Sequence, residues 1–187
     1  MAFWPRWTGP DEEETVKFYP KLIDRISKEI VQTLTQRGDI EVEPDAMDDA
    51  REDFAAIMRE YEAQERAIND EAKTMLIRRD WPRSKLAEAR RIVAGQRRVP
   101  VGDDGIDYVI NQMLELMMMS GHIEEVYAPD NVLRKRIVTI IRKFAKMDEE
   151  VDQEVRARLK HLEEGTADWE IQYKRVQEQV RRIKGLI

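Results

Sequence analysis

His122 and His161 are the only histidines in the chain, and they are the first residues to consider for catalysis or metal binding. His122 stands just before Glu124 and Glu125, and an imidazole beside carboxylates is a donor set that zinc accepts. The i, i+4 histidine pair that places two zinc ligands on one face of a helix is absent from the sequence. We therefore expect no metal site.

The acidic residues do not form a recognisable catalytic pattern either. Glu60, Glu62 and Glu65 are close in sequence, but a di-iron helical bundle also needs Glu-x-x-His pairs, which the sequence lacks. The chain has no cysteine, which excludes thiolate nucleophiles and cysteine-ligated metals. The glycine-containing stretch "VPVGDDGID" has no following Gly-Lys-Ser/Thr and is not a phosphate-binding loop. We expect no catalytic residues, no cofactor and no enzyme activity.

Composition favours an all-α protein. The 187 residues are 42% hydrophobic and 37% charged, with only eight glycines and seven prolines. This balance is typical of helices rather than of a sandwich or barrel. No apolar window is long enough to cross a membrane, and the N-terminus lacks the apolar region of a secretion signal. We expect a cytoplasmic protein with a formal net charge of −6.

Hydrophobic periodicity predicts a helical bundle built from two tandem copies of short helix, turn, long helix and short helix, with short extended segments in the turns. An offset of 83 positions aligns ten identical residues without a gap, among them Ile23 with Ile106 and Gly38 with Gly121. We expect a flexible segment over 1–16 containing Trp4 and Trp7, and repeats over 17–98 and 99–187. Whether the repeats pack as one domain is left open.

The stretch "IDYVINQMLELMMMSGHIEE" predicts a helix that is apolar on most sides, so it must be covered on most sides. One interpretation is a central core helix, packed by both long helices or by its mate in a homodimer. The other is a partner-binding groove, because methionine packs adaptably at binding surfaces. The candidate residues are Met113, Leu116, Met117, Met118 and Met119.

A basic segment interrupts the acidic protein at 78–98, where eight basic residues accompany two acidic ones. Arginine forks bind phosphates and a tryptophan stacks on bases, so the segment is a candidate nucleic-acid site. Its candidate residues are Arg78, Arg79, Trp81, Arg83, Arg90, Arg91, Arg97 and Arg98. The alternative is that these arginines neutralise the acidic first repeat, since the whole-chain charge opposes binding to a polyanion. A second basic cluster also favours nucleic-acid binding: Arg134, Lys135, Arg136, Arg142, Lys143 and Lys146.

The stretches "LIDRISKEIVQTLTQRGDIEVE" and "VPVGDDGIDYVINQMLELMMMSGHIEEVYAPDNVLRKRIVTIIRKF" resemble a bacterial family of uncharacterised proteins, domain-of-unknown-function family 507. The resemblance implies a small cytoplasmic bacterial protein and brings no activity, ligand or catalytic residue. In outline only, the doubled helix pattern is also similar to a fused histone-fold pair.

Two functions follow from these residues. The first is a non-enzymatic adaptor that binds a partner protein or self-associates through the Met-rich helix. The alternative is a nucleic-acid- or ribosome-associated protein that uses the basic segment. We expect no membrane contact and no small-molecule substrate.

Overall fold

The computed structural model describes residues 20–162 and 166–184, which form six α-helices and one two-stranded ladder. The predicted all-α class is confirmed: 78% of the structure is helical. The segment 1–16, with Trp4 and Trp7, lies outside the described residues. The elements are α1 (Pro20–Gln36), β1 (Ile40–Glu41), α2 (Met47–Arg79), α3 (Leu86–Arg97), α4 (Asp103–Met119), β2 (Glu125–Val126), α5 (Asp130–Arg158) and α6 (Ala167–Ile183).

Backbone chemistry explains where the first helices end. Gly38 follows α1 with a φ of 68°, a left-handed conformation that glycine adopts without steric cost, and the Asp39 N–H closes the end by donating to the Leu34 carbonyl (2.9 Å). Asp80 ends α2 in the same left-handed region, and Pro82 follows two residues later. A proline at that place cannot continue the helix, so the chain turns back toward α3.

The main core lies where the two shorter helices α1 and α4 pack against both long helices, α2 and α5. Each short helix is therefore covered by two neighbours, one from each half of the chain. Ile30, Phe54, Met113 and Ile137 are fully buried there. Burial of side chains this large is the main stabilising contribution to the bundle.

The long helices extend beyond this core, and each carries a smaller cluster at its far end. Ile68 and Ala72 of α2 pack with Val93 of α3. Val151 and Val155 of α5 pack in the same way against α6. A helix of 33 residues is about 50 Å long, so α2 needs α3 as a second neighbour to cover its apolar stripe.

The two halves of the chain are joined by the ladder and by a close contact near the start of α4. Ile40 pairs with Val126 and Glu41 with Glu125 in antiparallel register. At Gly105 an added Cβ would stand 1.8 Å from the Tyr61 hydroxyl, which donates to the Pro100 carbonyl (3.1 Å). Glycine at position 105 therefore allows the first turn of α4 to lie directly against α2.

None of the described helices combines the length and the apolar character that a membrane span requires.

Candidate functional site

The Met-rich run is divided between the core and the surface. Met113 is fully buried and Met117 is 3% exposed, so both belong to the main core. Leu116 is partly buried, while Met118 and Met119 are 75% and 85% exposed. Of the five candidate residues, only Leu116, Met118 and Met119 are placed where a partner can contact them. We call these three residues the α4 tip.

A polar cluster holds the chain directly after the α4 tip. Ser120 Oγ donates to Asp53 Oδ2 of α2 (2.6 Å) and accepts from the His122 backbone N–H (3.1 Å). His122 Nδ1 lies 2.9 Å from the same Asp53 oxygen. Ser120, Asp53 and His122 thus form a network that fixes the loop from α4 to β2 against α2.

The residue types in this cluster are those of a serine hydrolase, but the arrangement is different. In a catalytic triad the serine hydroxyl is bonded to the imidazole, which removes its proton. Here the hydroxyl of Ser120 and the imidazole of His122 both form hydrogen bonds with the Asp53 carboxylate instead of with each other. The geometry supports a structural role, in which the network holds the loop after α4 against α2. The network could not be read from the sequence because Asp53 is far from Ser120 along the chain.

The hydrogen bond to Asp53 raises the pKa of His122 above its ordinary value of 6.5. A raised folded-state pKa means that protonation stabilises the fold: the contribution is fully present below the unfolded value and is lost as pH rises through the folded pKa.

We expect His122→Gln to lower the free energy of unfolding at pH about 5.5 and to change it less at pH about 8.5, because only the imidazolium attracts the Asp53 carboxylate. Urea denaturation of the wild type and the variant at both pH values measures the difference. His161→Gln, at the exposed second histidine, is the control. A loss that is the same at both pH values would contradict the assignment.

The basic segment 78–98 is in part neutralised by the first half of the chain. Arg97 Nε lies 2.9 Å from Glu71 Oε2, and Arg90 Nη2 lies 3.7 Å from Glu65 Oε1. Both acidic partners belong to α2. In both pairs an arginine of the basic segment lies against an acidic residue of α2.

Trp81 is half-buried against the α2–α3 cluster. Two cations from its own neighbourhood lie over its ring: Arg79 Cζ at 4.9 Å and Lys85 Nζ at 5.6 Å from the centroid. Both cations make cation–π contacts with the Trp81 ring. Arg78, Arg83, Arg91 and Arg98 are exposed, and Arg91 and Arg98 line a groove of about 490 Å³ at the end of α3.

A larger groove of about 700 Å³ lies between α1 and α5. Its cationic side chains are Arg37, Lys135, Arg136 and Lys143, and Glu29 is its one acidic side chain. The basic cluster on α5 is visible in the sequence, but Arg37 is not part of it there, because only the packing of α1 against α5 brings Arg37 to the cluster. Hydroxyl and amide groups of Thr33, Thr139 and Asn131 complete the polar lining, and Val132 and Ile140 contribute apolar surface.

Among residues 20–162 and 166–184, no group of three or more potential metal-ligating side chains is placed to hold an ion. The fold and these surfaces define an all-α bundle with an exposed apolar tip and a basic groove. A family model described as "Protein of unknown function (DUF507)" matches residues 16–186, so the chain belongs to that family and the resemblance noted in the sequence is confirmed. No curated protein matches the chain.

Proposed function

We propose that the protein is a non-enzymatic cytoplasmic interaction protein that binds a partner protein at the α4 tip. The observation that carries this proposal is the exposure of two adjacent methionines, Met118 and Met119, beside the partly buried Leu116. Exposed apolar groups that lie near each other favour association, because covering them removes apolar area from water. Methionine adapts its shape to the surface that covers it.

The surroundings of the α4 tip select the chemistry of the partner. Glu115 is exposed on the same helix one turn before the methionines, and Asp49 and Asp53 lie near His122. A complementary partner presents apolar side chains bordered by lysine or arginine. A symmetric homodimer would place this acidic border against itself, so we assign the tip to a different protein rather than to a second copy.

We further propose that the two halves are copies of one unit that interlock as a single body. When the two halves are aligned with an offset of 83 positions, buried residues align with buried residues: Ile30 with Met113, Phe54 with Ile137, and Ala72 with Val155. The packing supports the same view, because α1 lies on α5 while α4 lies on α2. Each copy therefore covers the other, and the core needs no second chain.

Site-specific photo-crosslinking tests the function. A photoreactive phenylalanine analogue at Met119 is expected to form an adduct with one discrete, nuclease-resistant protein in the native cytoplasm. The matched control places the analogue at Ile77, which is 82% exposed at the far end of α2. Met118→Glu combined with the analogue at 119 is expected to abolish the adduct, because a carboxylate there is repelled by the acidic border and is poorly buried.

Three outcomes would contradict the proposal: the same adduct from positions 119 and 77, an adduct with a second copy of this chain, or no adduct at 119. The second outcome would favour the self-association that the sequence left open.

Nucleic-acid or ribosome association through 78–98 stays a prediction. The exposure of Arg78, Arg83 and Arg98 favours it, whereas the ion pairs of Arg90 and Arg97 oppose it. Salt-dependent binding that is lost in Arg78→Gln/Arg83→Gln/Arg98→Gln would support this segment as the site.

A further inference from the structure

The groove between α1 and α5 concentrates positive charge on an acidic protein. Four of its side chains are cationic and one is anionic, whereas the whole chain carries a formal net charge of −6. A cluster of cations produces a positive electrostatic potential at that place on the surface even when the net charge of the protein is negative. The groove therefore attracts anions although the protein as a whole is acidic.

The cations of the groove divide into two pairs with different roles. Arg136 forms an ion pair with the buried Asp39, and Lys143 Nζ forms one with Glu29 Oε1 at 2.5 Å. Both side chains are held in place by these carboxylates. Arg37 and Lys135 are exposed, and within the described residues the structure gives neither of them an ion pair. These two side chains are available to bind an anion.

The basic surface continues along α5 past the groove. Lys135, Arg142 and Lys146 follow each other at spacings of seven and four residues, so they share one helix face, and all three are exposed. From Lys135 to Lys146 the helix rises about 17 Å. A line of cations this long matches a ligand that carries several negative charges in a row.

The apolar groups of the groove narrow the class of ligand. Val132 and Ile140 also line it, so a fitting ligand has apolar groups beside its charges. A single nucleic-acid strand has this pattern, because its sugars and bases alternate with phosphates. Arg37 provides the guanidinium fork that binds phosphate oxygens in pairs, and Lys135 provides a point charge.

We propose that the α1–α5 groove binds the backbone of a single-stranded nucleic acid. This inference goes beyond protein binding at the α4 tip and concerns a separate surface. It also differs from the sequence-based nucleic-acid prediction, since it places the site at Arg37 and Lys135 instead of at 78–98. Recognition is through phosphate and sugar. None of the described side chains that line the groove is aromatic, so the site tolerates different base sequences.

The test is fluorescence anisotropy of a labelled single-stranded RNA dodecamer with the full-length protein. We expect saturable binding that weakens as salt rises from about 50 to about 200 mM. The Arg37→Gln/Lys135→Gln variant is expected to weaken binding about tenfold or more and to reduce the slope of log affinity against log salt by about 1.4, because two phosphate contacts are lost at about 0.7 each. Both side chains are exposed and unpaired within the described part, so the fold should be unchanged by circular dichroism.

The matched control is Lys174→Gln/Arg175→Gln, which removes one lysine and one arginine from the exposed surface of α6 and is expected to bind like the wild type. An equal loss in both double variants would overturn the proposal, because it would show that only total charge matters. Absence of saturable binding at low salt would also overturn it. Displacement of the RNA by an oligoglutamate peptide or by tripolyphosphate as effectively as by unlabelled RNA would overturn the assignment to a nucleic-acid strand.

Discussion

Arg136→Met is expected to lower the free energy of unfolding by about 3 kcal/mol, the lower end of the range for breaking a buried ion pair. The side chain of Asp39 is 6% exposed and that of Arg136 is 28% exposed, so the variant leaves a buried carboxylate without its cation. The partial exposure of Arg136 moderates the loss. Urea denaturation followed by circular dichroism at neutral pH measures it.

A change at Asp39 is expected to affect stability strongly because this residue connects several elements. Its backbone N–H closes α1, and its carbonyl accepts from the Tyr127 and Ala128 N–H groups after β2. The control is Asp39→Asn/Arg136→Met, which removes the buried charge together with its partner. We expect the double variant to be more stable than Arg136→Met alone. A decrease of less than about 1 kcal/mol in the free energy of unfolding of Arg136→Met is the size expected for an exposed ion pair, and it would contradict the burial of the Asp39–Arg136 pair.

Met117→Glu is expected to destabilise the fold by about 4 kcal/mol or more, which approaches the whole stability of a small domain. Met117 is 3% exposed in the main core, and a carboxylate there has no cation to pair with among the apolar side chains of that cluster. Thermal and urea unfolding compare it with the wild type. If it fails to fold, Met117→Ala provides a measurable loss of about 2–5 kcal/mol.

Met118→Glu is the matched control for Met117→Glu. The two substitutions are chemically identical and one residue apart, but Met118 is 75% exposed. We expect a change within about 0.5 kcal/mol for Met118→Glu. Equal losses in the two variants would contradict the division of the Met-rich run between core and α4 tip.

The helices and most of the core were predictable from the sequence. The recurrence of apolar residues such as Ile23, Ile26 and Ile30 depends on the 3.6-residue period of the α-helix, a local property of the chain. Gly38 and Pro82 stand beside helix ends for equally local reasons. The prediction that α4 is covered on most sides holds only in part, because α2 and α5 pack against it while Met118 and Met119 stay exposed.

The surfaces and the polar contacts were decided by tertiary packing. Helical spacing places Met117 on the apolar stripe with Met113 and Met118 beside that stripe, but only the position of α2 and α5 around α4 decides that Met117 is buried and Met118 exposed. Arg97 looks free in the sequence until α3 folds back on Glu71. Arg37 joins the basic face of α5 only because α1 packs there. Helix formation depends on neighbours within four residues, whereas burial, ion pairing and grooves depend on groups brought together from distant parts of the chain.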